Sequence, residues 1–328
     1  MCTTQFHFIT YNTHLFFKGL DIGPLFEDEN RRQAISNPYL RTLQPGSVNI
    51  AALQEVWYSE FAHEIYKDAL NNNSYTNRYV ENDQGHTLNK PGLMLLADAS
   101  CTFKHAGWES YKSECGESPH GWDPQDWPVW KGRVDATCEF QCSDNETHTI
   151  GLFTTHMPVG YGHASYTDKV GCSFKYLAGS IQRWRAANPG CAAVLLGDLN
   201  IDYYSQTKLP DGNTEYQDAV QGILCSTASL TDAAAAAPTD PGATIVPDTN
   251  TLWQKFNGSP VGASNQRIDY FMYADSIDDG TMTVDVTNIQ VNYAGLNIQV
   301  EENGVMNTYN CSDHYPLEVT ATITVSDN

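Results

Sequence analysis

Long apolar runs and basic residues are both scarce in this sequence. No segment approaches the ~20 consecutive apolar residues with which a helix crosses a bilayer, so we expect no transmembrane segment. Lys and Arg number 18 against 39 Asp and Glu, which gives a formal net charge of −21 at pH 7. Because a polyanion is repelled by that average field, we also expect no stable complex with nucleic acid.

Neither a signal peptide nor a zinc-binding cysteine pattern is predicted. The first residues, MCTTQFHFITYN, lack a charged start followed by an apolar stretch. The localisation therefore stays open between a soluble protein and a secreted domain whose signal peptide has been removed. Of the nine cysteines, Cys138 and Cys142 are the close pair. A strand would place them ~13 Å apart, too far for a disulfide unless the strand ends between them.

Alternating and apolar segments recur along the 328 residues and predict a strand-rich α+β domain. Hydrophobic residues make up 41% of the chain, enough for a substantial core, and we find neither a linker nor an internal repeat. We therefore expect one domain over residues 1–328. The predicted strands are Phe6–Tyr11, Val48–Leu53, Leu93–Ala97, Arg133–Phe140, Thr149–Thr154, Ala192–Leu196, Arg267–Tyr273 and Leu317–Val325.

Two segments carry the periodicity of a helix. Ser59–Leu70 and Ser173–Asn188 each place apolar side chains three or four residues apart, and the second stops at an Asn-Pro-Gly sequence. Ala233–Ala237 has no such periodicity and is followed by Pro238, so a loop insertion is predicted there.

Short polar clusters stand at the ends of the predicted strands. Side chains at such ends converge on one rim of a layered sheet, which is where folds of this kind build their sites. One cluster alone is ordinarily a solvated turn, but six in succession indicate a shared site. They are Tyr11-Asn12-Thr13-His14, Leu53-Gln54-Glu55-Val56, Thr154-Thr155-His156-Met157, Gly197-Asp198-Leu199-Asn200, Gln266-Arg267-Ile268-Asp269-Tyr270 and Ser312-Asp313-His314-Tyr315-Pro316.

The ordered set YNTH, LQEV, TTHM, GDLN, QRIDYF and SDHYPLE resembles the endonuclease/exonuclease/phosphatase superfamily. That superfamily includes deoxyribonucleases, abasic-site endonucleases, inositol 5-phosphatases and neutral sphingomyelinases. The resemblance runs from Asn12 to Glu318. It implies a four-layered α/β/β/α sandwich of two packed, mostly antiparallel sheets, with the site at one sheet edge, and a metal-dependent phosphoester hydrolase.

The resemblance assigns the metal ligands to Asn12 and Glu55, with Asp313 as a second carboxylate on the ion or on its water shell. Mg²⁺ prefers hard oxygen ligands, usually one or two carboxylates together with waters and substrate oxygens. These three side chains supply such oxygens. We therefore expect Mg²⁺ as the cofactor, with Mn²⁺ or Co²⁺ able to substitute.

Five further side chains are assigned to the chemistry by the same resemblance. Asp198 would orient or deprotonate the attacking water, and Asn200 would hydrogen-bond the phosphate. These two would point the same way if strand geometry continues through Gly-Asp-Leu-Asn. His314 would pair with Asp269, which holds its tautomer and raises its pKa. His156 would contact a non-bridging oxygen or protonate the leaving group, and which histidine is acid and which is base stays open.

One stretch departs from the deoxyribonuclease pattern. Those members carry a glutamate just ahead of the third buried strand, where it supports the first histidine. Here the matching stretch, residues 89–94, reads Asn-Lys-Pro-Gly-Leu-Met. The glycine at the head of this strand and Lys131-Gly132 before the alternating strand are more similar to sphingomyelinases, as are Gly-Asp-Leu-Asn and Ser-Asp-His-Tyr-Pro.

Two segments are candidates for contact with a lipid surface. A Pro-containing loop carries Trp122, Trp127 and Trp130, and tryptophan is favourable at a membrane–water interface. The alternative is that these rings pack over the edge of the core. Val291–Asn310 is predicted to form a hairpin that turns at residues 301–304, where bacterial sphingomyelinases carry a membrane-touching hairpin. An ordinary surface hairpin is the alternative there.

The leading hypothesis is a Mg²⁺-dependent phosphodiesterase of the sphingomyelinase type, which releases the phosphorylated head group from sphingomyelin or a related phospholipid. We expect a soluble monomer that acts at a membrane surface. The alternatives are a metal-dependent endonuclease on the same fold and a catalytically silent binding or toxin subunit. The complete set of site residues argues against the silent alternative, because drift after loss of activity usually removes one member.

Overall fold

The polypeptide forms two six-stranded sheets and a separate two-stranded hairpin. The computed structural model describes residues 1–15, 27–72, 74–80, 92–111, 115, 131–142, 146–160, 167–278, 281–294 and 296–326. The strands are β1 (Cys2–Leu15), β2 (Val48–Val56), β3 (Asn77–Val80), β4 (Met94–Ala97), β5 (Cys101–Ser110), β6 (Gly132–Gln141), β7 (Thr147–His156), β8 (Ala193–Asp198), β9 (Thr231–Asp232), β10 (Asp269–Ala274), β11 (Met282–Val291), β12 (Asn297–Glu302), β13 (Val305–Asn310) and β14 (Leu317–Val325). The helices are α1 (Asp28–Ala34, continued by a π-helical turn over Ile35–Tyr39), α2 (Ser59–Asn71), α3 (Thr167–Ala187), α4 (Tyr216–Cys225, π-helical, continued by Ser226–Ala228), α5 (Ala233–Ala236) and α6 (Thr251–Asn257).

Both sheets are mostly antiparallel, as the resemblance implied. The first has the strand order β11-β14-β1-β2-β4-β3 and the second β5-β6-β7-β8-β10-β9. Within the described strand pairs, β1–β2 and β7–β8 are parallel. Strand β10 runs antiparallel to β8, so its first residue, Asp269, lies opposite the last residue of β8, Asp198. The ends of these strands therefore meet at one edge, which is where the polar clusters stand.

Aromatic side chains pack between the two sheets. Phe6 and Phe8 of the first sheet contact Phe140 and Phe271 of the second, with ring centroids 5.0 and 5.1 Å apart, and all four are almost fully buried. Strand β14 shows the period of two that the sequence predicted, because its residues alternate between buried and half-buried from Leu317 to Val325. One face of this strand thus belongs to the core between the sheets.

Helices cover the outer faces of both sheets. In α2, the apolar stripe of Phe61, Ile65 and Ala69 is fully buried against the outer face of the first sheet. In α3, Phe174 and Ile181 pack in the same way on the second sheet. Both helices match the predicted periodicity. The layers are therefore helix, sheet, sheet and helix, which confirms the expected α/β/β/α sandwich.

The prediction of a loop over Ala233–Ala237 is wrong for most of that run. Ala233–Ala236 forms a one-turn helix whose N-cap is Asp232. The Asp232 carboxylate accepts hydrogen bonds from the backbone N–H groups of Ala234 and Ala235, at 3.0 and 3.3 Å. A cap that satisfies these donors allows a short helix without an amphipathic pattern, and Ala233 packs into the core.

The disulfide pattern is a product of the tertiary fold. Cys138 and Cys142 are not joined to each other, in agreement with their predicted separation. Cys138 pairs with Cys101 across β5 and β6, and Cys142 pairs with Cys2, 140 residues away. The third pair joins Cys115 to Cys172, whereas Cys191, Cys225 and Cys311 are thiols.

A helix long and apolar enough to cross a membrane is not found in the part of the chain that is described.

Candidate active site

Asn12 links the carboxylates of the two sheets. Its side-chain amide nitrogen donates to Glu55 Oε1 and to Asp198 Oδ2, at 3.0 Å each. Asn12 and Glu55 come from the parallel strands β1 and β2, whose register is interrupted by a bulge just after Asn12. Bulges next to active sites re-aim side chains. The structure thus brings two predicted metal ligands together with the predicted base.

His14, to which the sequence assigned no role, lies between the predicted metal-ligand carboxylates. Its Nδ1 atom is 3.3 Å from Glu55 Oε2 and 3.5 Å from Asp313 Oδ1. Burial would lower the pKa of His14, but the Asp313 and Glu55 carboxylates outweigh it and raise that pKa. The signal was available, because His14 belongs to the first polar cluster and follows Asn12 by two residues.

Three side chains of the site stand on backbone in the left-handed region. His14, Glu55 and Asn200 have φ angles of 51°, 59° and 51°. Non-glycine residues seldom adopt this conformation, and such residues concentrate at functional sites. His14 and Glu55 are the next-to-last residues of β1 and β2, and Asn200 follows the last residue of β8 by two positions, so the backbone departs from regular strand geometry at each of the three.

Asp198, Asp269 and His314 form the second half of the site. His314 Nδ1 is 2.7 Å from Asp269 Oδ2, and His314 Nε2 is 4.0 Å from Asp198 Oδ2. The predicted pairing of His314 with Asp269 is therefore present. Gly197 places Asp198, because its φ is 150° and a Cβ at Gly197 would lie 2.1 Å from the backbone oxygen of Thr155.

His156 is supported by a lysine and a tryptophan. The Nζ atom of Lys131 is 2.5 Å from His156 Nε2, and the ring of Trp57 lies 6.0 Å from the imidazole. Gly92 leaves room for Trp57, since its φ is 63° and a Cβ there would lie 2.6 Å from the indole. Residues 89–91 of the stretch that departs from the deoxyribonuclease pattern lie outside the described residues. Lys131 is a cationic neighbour of His156, a contact that the sequence did not reveal.

Asn200 does not continue the geometry of β8. The strand ends at Asp198, and the left-handed φ of Asn200 turns its side chain away. Its amide nitrogen donates to the backbone oxygen of Met157 at 2.8 Å, while its backbone N–H donates to Asp198 Oδ1 at 2.8 Å. Strand geometry does not continue through Gly-Asp-Leu-Asn, so the expectation that Asp198 and Asn200 point the same way is not met. Phosphate binding by Asn200 stays a prediction.

The pKa values of Glu55 and Asp198, the two carboxylates that share the Asn12 amide donor, are shifted in opposite directions. Burial alone would raise the pKa of Glu55, but the hydrogen bond and charge of His14, together with the Lys131 ammonium, hold it well below its usual range. Burial and the adjacent Asp269 carboxylate raise the pKa of Asp198 to about 7. Glu55 is therefore anionic at neutral pH, whereas Asp198 can exchange a proton there.

The pKa values of His314 and His156, the two histidines to which the resemblance assigned a role, are also shifted in opposite directions. Burial would lower the pKa of His314, but the Asp269 carboxylate raises it to about 10, so His314 is an imidazolium at neutral pH. Burial and the Lys131 ammonium hold the pKa of His156 well below its usual range. His156 is therefore neutral, and its Nε2 can accept a hydrogen bond from Lys131.

The donor atoms at this rim suit a divalent cation. The buried Oε2 of Glu55 and Oδ1 of Asp269 accept no hydrogen bond from the residues that the structure describes. A buried carboxylate oxygen without a donor is costly, and an ion satisfies it. Asp198, Asp269 and His314 also offer ligand atoms that lie within 4.8 Å of one another. Residues of either half could thus hold a metal ion.

The tryptophans proposed for lipid contact, Trp122, Trp127 and Trp130, lie outside the described residues. Their role stays a prediction. A hairpin is present within the predicted range Val291–Asn310, but it is shorter: it consists of β12 and β13, begins at Asn297 and turns at Asn303-Gly304, whereas Val291 ends β11. Val305 and Met306 near this turn are 59% and 60% exposed, so the hairpin presents apolar side chains to solvent.

Solved structures match this chain over nearly its whole length, although no family model and no curated protein matches the sequence. An endonuclease/exonuclease/phosphatase family protein from Bacteroides thetaiotaomicron is 15% identical, with a TM-score of 0.62, and 99% of this chain and 100% of that chain are covered. Sphingomyelinase C from Streptomyces griseocarneus is 16% identical, with a TM-score of 0.60 and coverage of 96% and 99%. A mannosyl-6-phosphatase from Bacteroides thetaiotaomicron is 14% identical, with a TM-score of 0.59 and coverage of 96% and 99%.

The names of these proteins point to different substrates, and identities of 14 to 16% establish the fold alone. The likeness therefore leaves the substrate of this chain open. What it confirms is the resemblance that the ordered motifs indicated. This chain has the four-layered endonuclease/exonuclease/phosphatase fold.

Proposed function

We propose that this protein is a Mg²⁺-dependent phosphodiesterase that hydrolyses sphingomyelin or a related phospholipid and releases the phosphorylated head group. The observation that carries the catalytic part is the pair of carboxylates held by Asn12. Glu55 stays anionic, as a metal ligand must, and Asp198 titrates near neutrality, as a general base should. Two carboxylates whose environments drive their pKa values apart are typical of acid–base sites.

The proposed reaction is an attack of water on phosphorus. Asp198 takes the proton of the water, whose oxygen bonds to phosphorus as the bond to the lipid alcohol breaks. His314, the protonated histidine, supplies the proton for the leaving oxygen, and neutral His156 with Lys131 holds a phosphoryl oxygen. Glu55, Asn12 and Asp313 would hold the divalent cation, which when bound neutralises charge on the phosphate.

The lipid substrate is supported by an exposed apolar turn, by the net charge and by the fold. The β12–β13 hairpin exposes Val305 and Met306, which could enter a lipid interface. The net charge of −21 disfavours contact with a polyanion such as DNA. Sphingomyelinase C is among the structures with this fold. These observations favour a phospholipid over nucleic acid.

An exported monomer of one domain fits the remaining features. Three disulfides, including the bridge from Cys2 to Cys142, are typical of proteins in oxidising compartments. Both sheets contribute to one core cluster, which supports a single catalytic domain over residues 1–328. We therefore propose that the protein acts outside the reducing cytosol on membrane surfaces.

The proposal is tested by offering the purified chain three substrates in parallel. Sphingomyelin vesicles, supercoiled plasmid DNA and a soluble sugar phosphate are incubated with Mg²⁺ or with a chelator. His314→Ala is the catalytic blank, and His63→Ala, on the outer helix α2, is the matched control. We expect phosphocholine release from the vesicles only, abolished by chelation and by His314→Ala and unaffected by His63→Ala.

The other outcomes each contradict the proposal in a different way. DNA nicking without phosphocholine release identifies a metal-dependent endonuclease. Phosphate release from the sugar phosphate alone identifies a phosphatase. Turnover of none of the three, by a chain that is folded by circular dichroism, points to a silent binding or toxin subunit.

A further inference from the structure

The imidazole of His14 occupies the space between the Glu55 and Asp313 carboxylates. Its Nδ1 atom faces both, at 3.3 Å from Glu55 Oε2 and 3.5 Å from Asp313 Oδ1. Both side chains are largely buried, with 15% of the His14 side chain and 14% of the Glu55 side chain exposed. A nitrogen atom of ligand character therefore stands directly beside a carboxylate oxygen of the predicted metal site.

His14 is held in this position from both its backbone and its ring. Its carbonyl oxygen accepts a hydrogen bond from Arg31 at 2.7 Å, and its N–H donates to Asn12 Oδ1 at 3.2 Å. The imidazole packs on the ring of Phe256 in α6, with centroids 5.1 Å apart. A ligand whose orientation is set by its surroundings loses little entropy when an ion binds.

Arg31 also ties the two carboxylate-bearing segments together. It is fully buried and paired with Asp28, and its Nη1 donates to the carbonyl oxygen of Cys311 at 2.9 Å. Cys311 precedes Asp313 by two residues, so one guanidinium fixes the end of β1 relative to the Asp313 loop. The spacing between His14 and Asp313 is thus built into the fold.

We propose that His14 Nδ1 is a direct ligand of the divalent cation, next to Glu55. Two ligand atoms that each lie about 2.1 Å from one ion, at angles between octahedral and tetrahedral, are separated by roughly 3.0–3.4 Å. The separation of 3.3 Å between His14 Nδ1 and Glu55 Oε2 falls in that range. This inference rests on the proposed metal dependence and goes beyond the oxygen-only ligand set that the sequence predicted.

A nitrogen ligand changes which ion the site prefers. Mg²⁺ selects oxygen ligands, whereas imidazole suits the borderline transition metals. The affinity of a mixed nitrogen and oxygen site rises from Mn²⁺ to Co²⁺ along the first row. We therefore infer that this chain binds Mn²⁺ and Co²⁺ more tightly than Mg²⁺.

The test measures metal binding on the full chain without substrate. Electron spin echo spectroscopy of the Mn²⁺-loaded protein reports directly coordinated nitrogen, and calorimetry gives the affinities for Mn²⁺ and Mg²⁺. We expect nitrogen modulation in the wild type and its loss in His14→Asn. We also expect His14→Asn to weaken Mn²⁺ binding by about 10- to 100-fold and to change Mg²⁺ binding far less, since Asn offers an oxygen ligand.

Matched histidine variants assign the nitrogen signal. His156→Asn and His314→Asn should keep the modulation, because the Nε2 atom of His156 accepts from Lys131 and His314 Nδ1 pairs with Asp269. His63→Asn should behave as the wild type. Absence of modulation in the wild type overturns the proposal, as does its persistence in His14→Asn or its loss in His314→Asn. If His14→Asn does not fold, the wild-type spectrum and the other three variants still decide.

This experiment separates its own failure from failure of the proposed function. Nitrogen coordination with no phosphocholine release supports His14 as a ligand and refutes the lipid substrate. Phosphocholine release by a site without nitrogen coordination refutes the role of His14 and leaves the proposed function intact.

Discussion

Glu55 and Asp198 lie at the ends of strands in different sheets, accept from the same amide group and yet differ in charge at neutral pH. The Glu55 half of the site contains His14 and the Lys131 ammonium, which keep the pKa of Glu55 well below its usual range. The Asp198 half contains a second carboxylate, Asp269, and burial acts with it to raise the pKa of Asp198 to about 7. The neighbours, rather than the residue type, set the charge.

Under the proposed function, this difference would give each half of the site its own chemistry. A carboxylate that remains charged is suited to hold a cation, and one that titrates near neutrality is suited to move a proton. The Asn12 amide, at 3.0 Å from both, keeps the two functions at a fixed distance. Substitutions in the Glu55 half should therefore alter metal binding, and substitutions in the Asp198 half should alter turnover.

The largest expected effect follows removal of the proposed base. Asp198→Asn keeps the shape of the side chain but cannot accept the proton of water, so kcat should fall by about 10²–10⁴. Metal affinity, measured by calorimetry, should change little. The wild-type pH–rate profile should rise with pH through a midpoint at or below the pKa of about 7, because a bound cation can only lower the pKa of Asp198.

That acidic limb should be absent from the residual activity of Asp198→Asn. An unchanged profile in the variant would assign the base to another group. A large loss of metal affinity in Asp198→Asn would contradict the division between the two halves.

The second effect is on metal binding. Glu55→Gln removes the anionic oxygens while it keeps their geometry, so the affinity for Mg²⁺ or Mn²⁺ should fall by roughly 10- to 100-fold. Saturating metal should restore part of kcat. The melting temperature of the metal-free protein should fall little, since Gln can still accept the hydrogen bond from Asn12. Full activity at low metal concentration would refute Glu55 as a ligand.

The smallest effect is expected at the boundary between the two halves. His156 Nε2 lies 3.5 Å from both Glu55 Oε1 and Asp198 Oδ2, and the Lys131 ammonium helps to keep it neutral. Lys131→Met should raise the pKa of His156, which NMR titration measures, and should lower kcat only a few-fold. A pKa of His156 that stays the same would show that burial alone holds it down.

The fold and the convergence of the polar strand ends were predictable because their signals are local. Strand β14 begins and ends where alternation predicted, at Leu317 and Val325. Asp198, Asp269 and His314 follow or precede such strands, and the sheet geometry brings strand ends together. The glycine before Asp198, in contrast, has a tertiary reason, because a Cβ at Gly197 would meet the backbone of β7.

The features that could not be predicted depend on contacts between segments that are far apart in the sequence. The position of His14 between Glu55 and Asp313, and the contact of Lys131 with His156, join residues far apart in sequence. The short helix Ala233–Ala236 forms because Asp232 caps its N-terminus and because Ala233, its first residue, packs into the core.

The sequence by itself determined which side chains stand at the rim, since hydrophobic alternation and turn residues act over a few positions. Only the tertiary structure decided their charges, because a pKa depends on burial and on neighbours that the chain brings from elsewhere. Asp198 and Glu55 are both carboxylic acids in short polar motifs, and the sequence alone does not distinguish their charges. Packing of the two sheets, with Asn12 between them, is what raises the pKa of Asp198 to about 7 and holds the pKa of Glu55 well below its usual range.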